Sequence, residues 1–466
     1  MASAQPHKRN KLIVDSVHGD IQLSDIEHRV IDTASFQRLR NLKQLGMAQV
    51  TYPNATHTRF AHSIGVLGIM QKITRVARES LHLNETDVED ICLAGLLHDI
   101  GHYPYSHLME RIDKVQLTEE FLSNDKIIRA DKIPYPKHEE IGELIVTRQR
   151  DLIEALGGKE RATRLAALFA GKTTDNQQLS KLIHSSLDMD RLDYLLRDAQ
   201  ATGVPYGQID LNYLLHNFKA SPSGMLGVKE RAITAVDHFL LGRFFMHRSV
   251  YYHKTTFGLE EACRQLLRRL RDREEKYGLP ADGEAIKDVA RGRNLGQFTD
   301  GFVDGIVERA AQDADQVIQS LANSIRRRRP PKLLKEVSVL GQSASADHSG
   351  TLFKNNCKHQ LQQLAKRYKI PVGRFLVCQT PPFTLEERGA FITDDQGRKL
   401  PPEAKDELIK VFEGDATEPT SVVNVKHSLI HVCSNYFYQA FRLYLVRDDK
   451  TDAEQIKKLK AEVARW

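Results

Sequence analysis

The chain has 466 residues, of which 41% are hydrophobic and 27% are charged. These fractions lie near the averages of globular proteins and exclude a disordered, collagen-like or coiled-coil chain. Lys and Arg number 67 against 61 Asp and Glu, so the formal net charge of +6 permits an anionic ligand without identifying one.

The chain lacks the sequence features of membrane insertion and secretion. No run approaches about 18 apolar residues, so we expect no membrane-spanning helix and no membrane partner. The N-terminus has no apolar segment of the kind found in secretory signals. The 5 cysteines are scattered without a CxxC spacing. This argues against a disulfide framework or a zinc ribbon and predicts a cytoplasmic protein.

The N-terminal part of the chain reads as a hairpin followed by helices. Residues 13–23 alternate enough to predict a β-hairpin. Most of residues 24–275 has apolar residues at helical spacing. A helix start is predicted at Asn84–Asp87, with Thr86 as the N-cap. Residues 199–229 contain glycines and prolines and predict loops with short elements.

The pattern changes in the last third of the chain. Arg326–Arg329 precedes two prolines and predicts a solvated turn, the alternative being contact with nucleic acid or with nucleotide phosphate. Residues 341–350 predict a mobile loop. Strands are predicted at 371–379 and 421–433 from their Val, Ile and Phe content, and helices at 434–446 and 452–466.

These elements predict a mainly α protein of two parts. Residues 1–335 would form a helical core with an N-terminal hairpin, and residues 336–466 a smaller α+β C-terminal region.

Histidines and aspartates at characteristic spacing predict a metal site. His98 and Asp99 end an apolar helical run in LAGLLHDIGH, His62 lies upstream in HTRFAHS, and Asp190 lies downstream in DMDRLDY. Two imidazoles and two carboxylates make a mixed nitrogen and oxygen site that suits Fe, Mn, Zn or Ni. Four protein ligands leave positions open on a six-coordinate metal, where bound water is activated as a nucleophile. The alternative is a degenerate site without metal.

Two helical stripes extend this site. Arg59 lies one turn before His62, and its guanidinium can bind two oxygens of a phosphate. Asp190, Tyr194 and Asp198 follow each other at intervals of four and share one helical face.

Taken together, these motifs resemble those of HD-superfamily phosphohydrolases. The resemblance is closest to the HD core of the SAM-and-HD-domain dNTP triphosphohydrolases and their bacterial relatives, and it runs from about Lys11 to Lys254. It implies an HD-domain helical core and cleavage of a dNTP into deoxynucleoside and inorganic triphosphate, with Mg²⁺ holding the phosphates. Because the hairpin begins so early, we expect no SAM domain. The implied metal ligands are His62, His98, Asp99 and Asp190.

The same resemblance implies the residues around the metal. His107 would give a proton to the leaving 5′ oxygen, as a group with a pKa near 6.5 can do. The other implied catalytic residues are His102, His138, Glu110 and Arg59. The implied substrate-binding residues are Gln44, Leu45, Arg59, Arg191, Tyr194, Asp198, Arg243 and Tyr251.

The resemblance also implies regulation by nucleotides. Members of the family assemble as tetramers with nucleotides at the subunit junctions, so a homotetramer and a guanine nucleotide activator are expected. The alternative is that these cations form a solvated basic face. The matching positions are Lys11, Asp32, Gln37 and Arg40 at a guanine site, and Lys229, Arg231, His253 and Lys254 at a second site.

Two other functions compete with dNTP hydrolysis. One is an HD phosphohydrolase acting on a nucleoside monophosphate, a cyclic nucleotide or an alarmone. The other is a nucleotide-gated binder of nucleic acid. The DMDRLDY stripe and the LKQLG segment favour dNTP hydrolysis, because they describe a deoxynucleotide groove and not only a metal.

Overall fold

A computed structural model of the chain describes residues 11–113, 133–172, 177–341, 343–385, 408–434 and 436–466. Within these ranges the protein is mainly α, as predicted, with three small sheets.

The chain begins with the predicted hairpin. Strands β1 (Lys11–Asp15) and β2 (Gly19–Leu23) pair antiparallel, and Asp15 faces Gly19 across the turn. Gly19 has a φ of 76°, a conformation that glycine adopts without the steric cost of a side chain. The hairpin prediction is confirmed.

Helices then build the core around the hairpin. The predicted helix start near Asn84 is confirmed, but Asn84 and not Thr86 is the N-cap. The Asn84 side chain accepts from the backbone N–H of Asp87, whose carboxylate accepts from the Asn84 N–H. The first helices are α1 (Asp25–Ile31), α2 (Ala34–Gln37), α3 (Arg59–Val76), α4 (Glu85–Leu97), α5 (His107–Glu110), α6 (His138–Arg148), α7 (Arg150–Ala155), α8 (Lys159–Phe169), α9 (Gln177–Lys181) and α10 (Met189–Thr202).

The following segment contains the short elements that its composition predicts. A π-helical turn at His247–Tyr251 separates two long helices. These elements are α11 (Leu211–His216), β3 (Phe218–Ala220), β4 (Leu226–Lys229), α12 (Ile233–Met246), α13 (Lys254–Arg271), α14 (Glu274–Tyr277), α15 (Gly283–Arg291), α16 (Asp300–Ala310) and α17 (Gln316–Arg326).

The described residues of the C-terminal region combine strands with α-helices. The order in one sheet is β5–β10–β6, with β7 also paired to β10, and in the other it is β3–β4–β8–β9. The elements are β5 (Lys332–Gly341), α18 (Ser343–Tyr368), β6 (Phe375–Gln379), β7 (Phe383–Thr384), β8 (Lys410–Phe412), β9 (Thr420–Ser421), α19 (Leu429–Cys433), β10 (Phe437–Leu445) and α20 (Ala453–Val463).

Several predictions for this region are wrong. The helix expected at 434–446 is strand β10, which lies between two strands and is buried along most of its length, so its sequence has no polar face to reveal the period. The strand expected at 421–433 is the short β9 followed by helix α19, which the Ser428 side chain caps. Of the loop expected at 341–350, Gly341 ends β5, residue 342 lies outside the described residues, and the part from Ser343 onward is the start of α18. The strand at 371–379 and the final helix are confirmed by β6 and α20.

The arginine run makes exposed ion pairs. Arg326 pairs with Glu308, and Arg327 and Arg329 both pair with Asp449. These contacts favour the solvated turn over a surface dedicated to nucleic acid.

The two parts of the chain share contacts. Residue 335 lies within β5, and β8 pairs in parallel with β4 of the helical part. One apolar core includes side chains from both parts, and a second, smaller core lies among α18, α20 and strands β5, β6 and β10. The division at residue 335 therefore stays a prediction. Across the described ranges, we find no helix with the length and apolarity needed to cross a bilayer.

Candidate metal centre and nucleotide cleft

Three helices bring the four predicted metal ligands together. His62 lies in the first turns of α3, which Thr58 caps. His98 and Asp99 directly follow α4, and Asp190 lies in the first turn of α10, which Asp188 caps. Helices are rigid elements, so they position these side chains more precisely than loops would.

The side chains of these residues converge on one point. Nε2 of His62 is 3.0 Å from Oδ1 of Asp190 and 3.5 Å from Oδ2 of Asp99. Nε2 of His98 is 3.4 Å from Oδ1 of Asp99 and 3.7 Å from Oδ1 of Asp190. Even without Asp99, His62, His98 and Asp190 form a group whose ligand atoms are close enough to hold a metal ion.

The outer nitrogen of each imidazole is already bonded. Nδ1 of His62 is 2.7 Å from Oδ2 of Asp193, and Nδ1 of His98 donates to the carbonyl of Gly95 at 2.8 Å. These bonds place the protons on Nδ1 and leave a lone pair on each Nε2. Both Nε2 atoms are buried and lack a hydrogen-bond partner of acceptable geometry. A divalent cation would satisfy both, so the residues fit the expected metal.

Electrostatics at the centre also favour a cation. Burial lowers the pKa of His62, but the nearby carboxylates of Asp190, Asp193 and Asp99 outweigh it and raise the pKa to about 10, so a proton competes with a metal ion for Nε2. Burial raises the pKa of Asp99, but the charges of Arg59 and of neighbouring histidines hold it well below its usual range. The carboxylates therefore stay ionised and favour positive charge between them.

Three further histidines form a cluster beside the metal ligands. The rings of His102 and His138 stack with centroids 3.9 Å apart, and the ring of His107 meets both edge-on. Nε2 of His102 is 3.1 Å from Oδ1 of Asp99. Gly101 allows this packing, because a Cβ there would lie 2.0 Å from the backbone oxygen of His138.

This cluster is better suited to proton transfer than to holding a second ion. The three imidazoles lie within range of a common ion. However, the stacked rings of His102 and His138 are only 22° from parallel, so their in-plane lone pairs do not converge. Burial and the charges of Arg59 and His138 lower the pKa of His102 well below 6.5. Burial lowers the pKa of His138, but the hydrogen bond and charge of Glu110 outweigh burial and raise it. Neighbouring groups with opposite pKa shifts are typical of acid–base sites.

A strained loop presents His107 to the centre. Tyr105 and Ser106 both have positive φ, at 53° and 56°, a region that non-glycine residues rarely adopt. The carboxylate of Asp300 holds the loop by accepting from the backbone N–H groups of Tyr105 and Lys43, at 2.8 and 3.0 Å. Strain of this kind is maintained only where the surrounding structure enforces it, and it is common at functional sites.

The metal ligands open into a cleft of about 1020 Å³. This volume accommodates a nucleoside triphosphate. The predicted site residues that line the cleft are Gln44, Leu45, Arg59, His98, Asp99, His102, His107, His138, Asp190, Arg191, Tyr194, Asp198 and Tyr251.

The predicted phosphate contact of Arg243 stays a prediction. Arg243 does not line the cleft, because its place in α12 turns it into the protein. Its side chain is 2% exposed and donates to the carbonyl of Leu385 at 3.0 Å.

The two other predicted phosphate-binding arginines are engaged by carboxylates. Arg59 donates to Asp99 at 2.5 Å and to the hydroxyl of Ser106 at 3.1 Å. Arg191 donates to Asp188 and to the carbonyl of Ser185 at 2.5 and 2.6 Å. Both line the cleft, so their roles toward phosphate stay predictions.

The end of the cleft predicted to bind the sugar is built around Asp198. Its two carboxylate oxygens are 2.8 Å from Nε2 of His57 and from the hydroxyl of Tyr251. Tyr251 lies in the π-helical turn, and its ring meets Tyr194 edge-on at 6.2 Å. Gln44 places a buried Oε1 without a hydrogen-bond partner in the same cleft. His57 was not predicted, although it begins the HTRFAHS motif.

The predicted regulatory residues fall into separate groups. Nζ of Lys11 is 2.6 Å from Nε2 of His28, which is itself 3.3 Å from Oδ2 of Asp32. Nearby, Gln37 accepts from Nε of Arg40 at 2.7 Å, and the Arg40 guanidinium covers the ring of Phe60 at 3.5 Å. At the second predicted site, Lys229 ends β4, Arg231 donates to Asn217, His253 caps α13 and Lys254 begins it.

Comparisons with known proteins agree with this architecture. Residues 59–198 match the family model of the HD domain. An uncharacterized protein of Methanocaldococcus jannaschii is 35% identical over 248 residues, covering 53% of this chain and 46% of the relative. A protein of Dictyostelium discoideum named deoxynucleoside triphosphate triphosphohydrolase SAMHD1 homolog is 29% identical over 257 residues, covering 54% of this chain and 48% of the relative.

Solved structures show the same fold. A phosphohydrolase from Bacteroides thetaiotaomicron superposes with a TM-score of 0.69 and 22% identity, covering 94% of this chain and 100% of that one. The family model at residues 59–198 and the similarity to the dNTP triphosphohydrolase homolog confirm the resemblance to HD-domain phosphohydrolases. The chain spans about half the length of the curated relatives it matches.

Proposed function

We propose that this HD-domain chain is a metal-dependent dNTP triphosphohydrolase, which cleaves a dNTP into a deoxynucleoside and inorganic triphosphate. The observation that carries the proposal is the cleft itself. Two buried imidazole Nε2 atoms without partners lie beside two carboxylates at one end, and the Asp198–Tyr251 pair lies in the same cleft. Metal chemistry and sugar recognition are thus combined in one cavity.

The metal centre supplies the activation of water. A transition metal (Fe, Mn, Zn or Ni) held by His62, His98, Asp99 and Asp190 would act as a Lewis acid, with Mg²⁺ accompanying the phosphates. The protein's own contribution is to keep Asp193 and Gly95 bonded to the outer nitrogens, so that both ligand imidazoles face inward.

The histidine cluster handles the proton of the leaving group. Attack at the α-phosphorus requires a proton for the departing 5′ oxygen. His107 lines the cleft and is held through Nδ1 by Glu110, so Nε2 is the atom that faces the substrate. Arg59 and Arg191 contribute positive charge toward the phosphates as negative charge builds in the transition state.

The sugar end favours a deoxynucleotide over other HD substrates. The Asp198 carboxylate is fixed by His57 and Tyr251 and remains an acceptor for the 3′ hydroxyl, while the ring of Tyr251 crowds the position of a 2′ hydroxyl. An HD enzyme acting on a nucleoside monophosphate, a cyclic nucleotide or an alarmone would need the metal but not this sugar-binding end of the cleft. A binder of nucleic acid would need neither.

We further propose control by guanine nucleotide in a homotetramer. The carboxylate of Asp32 can accept from N1–H and N2–H₂ of guanine, and Lys11 lies within the same cluster to meet phosphate. The exposed side chains of this cluster fit a subunit junction.

The cysteines of the described residues are free, which supports a reducing compartment such as the cytoplasm.

A turnover assay tests the proposal. The purified protein is incubated with each dNTP and Mn²⁺ or Mg²⁺, with and without GTP, and the products are resolved by anion exchange. Loss of dNTP in the wild type but not in Asp190→Ala supports it. If no dNTP is consumed under any combination, nucleoside monophosphates and cyclic nucleotides become the substrates to examine.

A further inference from the structure

The N-terminal hairpin is bonded to the metal centre through one buried arginine. Arg197 of α10 forms a two-pronged ion pair with Asp15 at the end of β1, at 2.9 and 3.1 Å. The same guanidinium donates to both oxygens of Asp193, at 2.8 and 2.9 Å. Arg197 is only 3% exposed, so both ion pairs are removed from solvent.

Asp193 passes this contact on to a metal ligand. Its Oδ2 is 2.7 Å from Nδ1 of His62, and its Oδ1 is 2.6 Å from Nε2 of His18 in the hairpin turn. Asp193 is completely buried. The carboxylate that orients His62 is therefore fixed by the hairpin twice, directly through His18 and through the Asp15–Arg197 pair.

The turn of the hairpin depends on the same aspartate. Oδ1 of Asp15 accepts from the backbone N–H groups of Val17 and His18, at 3.0 and 2.9 Å. The side chain that binds Arg197 thus also sets the backbone that presents His18. A change at Asp15 alters both connections to Asp193.

Two glycines of helix α3 make room for these ion pairs and for the hairpin. A Cβ on Gly65, one turn after His62, would lie 2.0 Å from Oδ1 of Asp193 and 2.1 Å from Nη2 of Arg197. A Cβ on Gly68, one turn further, would lie 2.8 Å from Cδ1 of Ile21 in β2. The two glycines leave the space that the ion pairs and the hairpin occupy on the His62 helix.

We propose that the hairpin is a positioning element of the metal centre, in which Asp15, His18 and Arg197 hold Asp193 so that Nε2 of His62 faces the metal. None of these residues is among the proposed metal ligands or lines the cleft, so they are positioning residues. The inference rests on the metal centre of the proposed function. A purely structural role for the ion pairs would change the stability of the fold without changing the affinity of the folded protein for metal.

Metal affinity of the apo protein separates these roles. Mn²⁺ is titrated by calorimetry into wild type and Asp15→Asn, and the thermal unfolding of both apo proteins is recorded. We expect Asp15→Asn to bind Mn²⁺ about 10-fold more weakly, the lower end of the range for a direct outer partner of a ligand histidine, because Asp15 acts on Asp193 through Arg197 and the hairpin turn. Asp20→Asn is the matched control, since Asp20 is exposed on the same hairpin and should leave the affinity unchanged.

A second pair of variants covers the case in which Asp15→Asn does not fold. His18→Ala removes the direct bond to Asp193 and leaves the Arg197 ion pairs, and His18→Gln keeps a donor at that position. We expect weaker Mn²⁺ binding in His18→Ala and partial recovery in His18→Gln. Folded Asp15→Asn with wild-type affinity, or His18→Ala with wild-type affinity, would overturn the proposal. If wild type itself binds no Mn²⁺ or other transition metal, the proposed metal centre is what fails.

Discussion

Nδ1 of His107 lies 2.7 Å from Oε2 of Glu110, whose other oxygen is 3.1 Å from Nδ1 of His138. One carboxylate therefore orients two histidines of the cleft. We expect Glu110→Gln to lower kcat by about 100-fold, the lower end of the range for a group that supports acid–base catalysis. Steady-state kinetics measure this effect.

Metal affinity is the control for that variant, because Glu110 is not among the proposed ligands. Mn²⁺ binding to Glu110→Gln should match the wild type. Glu110→Asp should recover part of kcat, since the charge is kept with a shorter reach. Full kcat in Glu110→Gln would remove Glu110 and its histidine partners from the catalytic account.

Glu260 gives the stability of the protein a pH dependence. Burial raises the pKa of its carboxyl from 4.5 to about 7, with Glu261 raising it further and Arg264 and Arg111 opposing. The folded protein then keeps a proton that the unfolded chain releases, so this group lowers the free energy of unfolding as pH rises from about 4.5 to about 7. Glu260→Gln should be more stable than wild type near pH 8, by about 1–3 kcal/mol.

Urea unfolding at two pH values checks the sign. The advantage of Glu260→Gln should shrink toward zero near pH 4.5, where both side chains are neutral. A variant less stable than wild type near pH 8 would show that the carboxylate is stabilised by its arginine neighbours in spite of its burial.

Tyr251 should control discrimination against ribonucleotides through its ring. Tyr251→Phe loses the hydrogen bond to Asp198 but keeps the ring, so we expect KM for dNTP to rise by about 10-fold and ribonucleotides to remain excluded. Tyr251→Ala opens the space beside the sugar and should allow hydrolysis of ribonucleoside triphosphates. Competition between dGTP and GTP as substrates measures this, and unchanged selectivity in Tyr251→Ala would contradict the assignment.

Asp32 should control activation by guanine nucleotide. Its carboxylate is the group in the Lys11 cluster that can recognise the guanine edge. Asp32→Asn should weaken GTP activation by about 10-fold or more, as expected when a bidentate charged contact is lost. Mn²⁺ binding should be unchanged, because Asp32 lies outside the cleft lining. GTP titrations with light scattering report activation and assembly together, and full activation in this variant would reject the site.

The sequence allowed the convergence of the proposed metal ligands to be predicted because each lies in a short motif at a helix end. His62, His98, Asp99 and Asp190 converge within the described structure as expected. The residues behind them could not be predicted from spacing. Contacts between α10 and the hairpin join Asp193 and Arg197 to Asp15, which lies 182 positions before Arg197 in the sequence. Contacts between such distant segments leave no local signal in the sequence.

The errors in the C-terminal region have a different cause. The apolar run that became β10 has no clear period, and a short buried run does not distinguish a strand from a helix. The contact of Arg243 with the carbonyl of Leu385 likewise has no local signal, because it depends on how α12 packs against a distant part of the chain. Tertiary packing decided both outcomes.

The fate of the oxygen that enters from water tests the central claim most directly. We would hydrolyse dGTP with Mn²⁺ in H₂¹⁸O, with GTP present, and analyse both products by mass spectrometry. The account predicts deoxyguanosine without label and inorganic triphosphate carrying one ¹⁸O, with both products absent in Asp190→Ala. Labelled nucleoside, or release of monophosphate or pyrophosphate in place of triphosphate, would contradict attack at the α-phosphorus with departure of the 5′ oxygen.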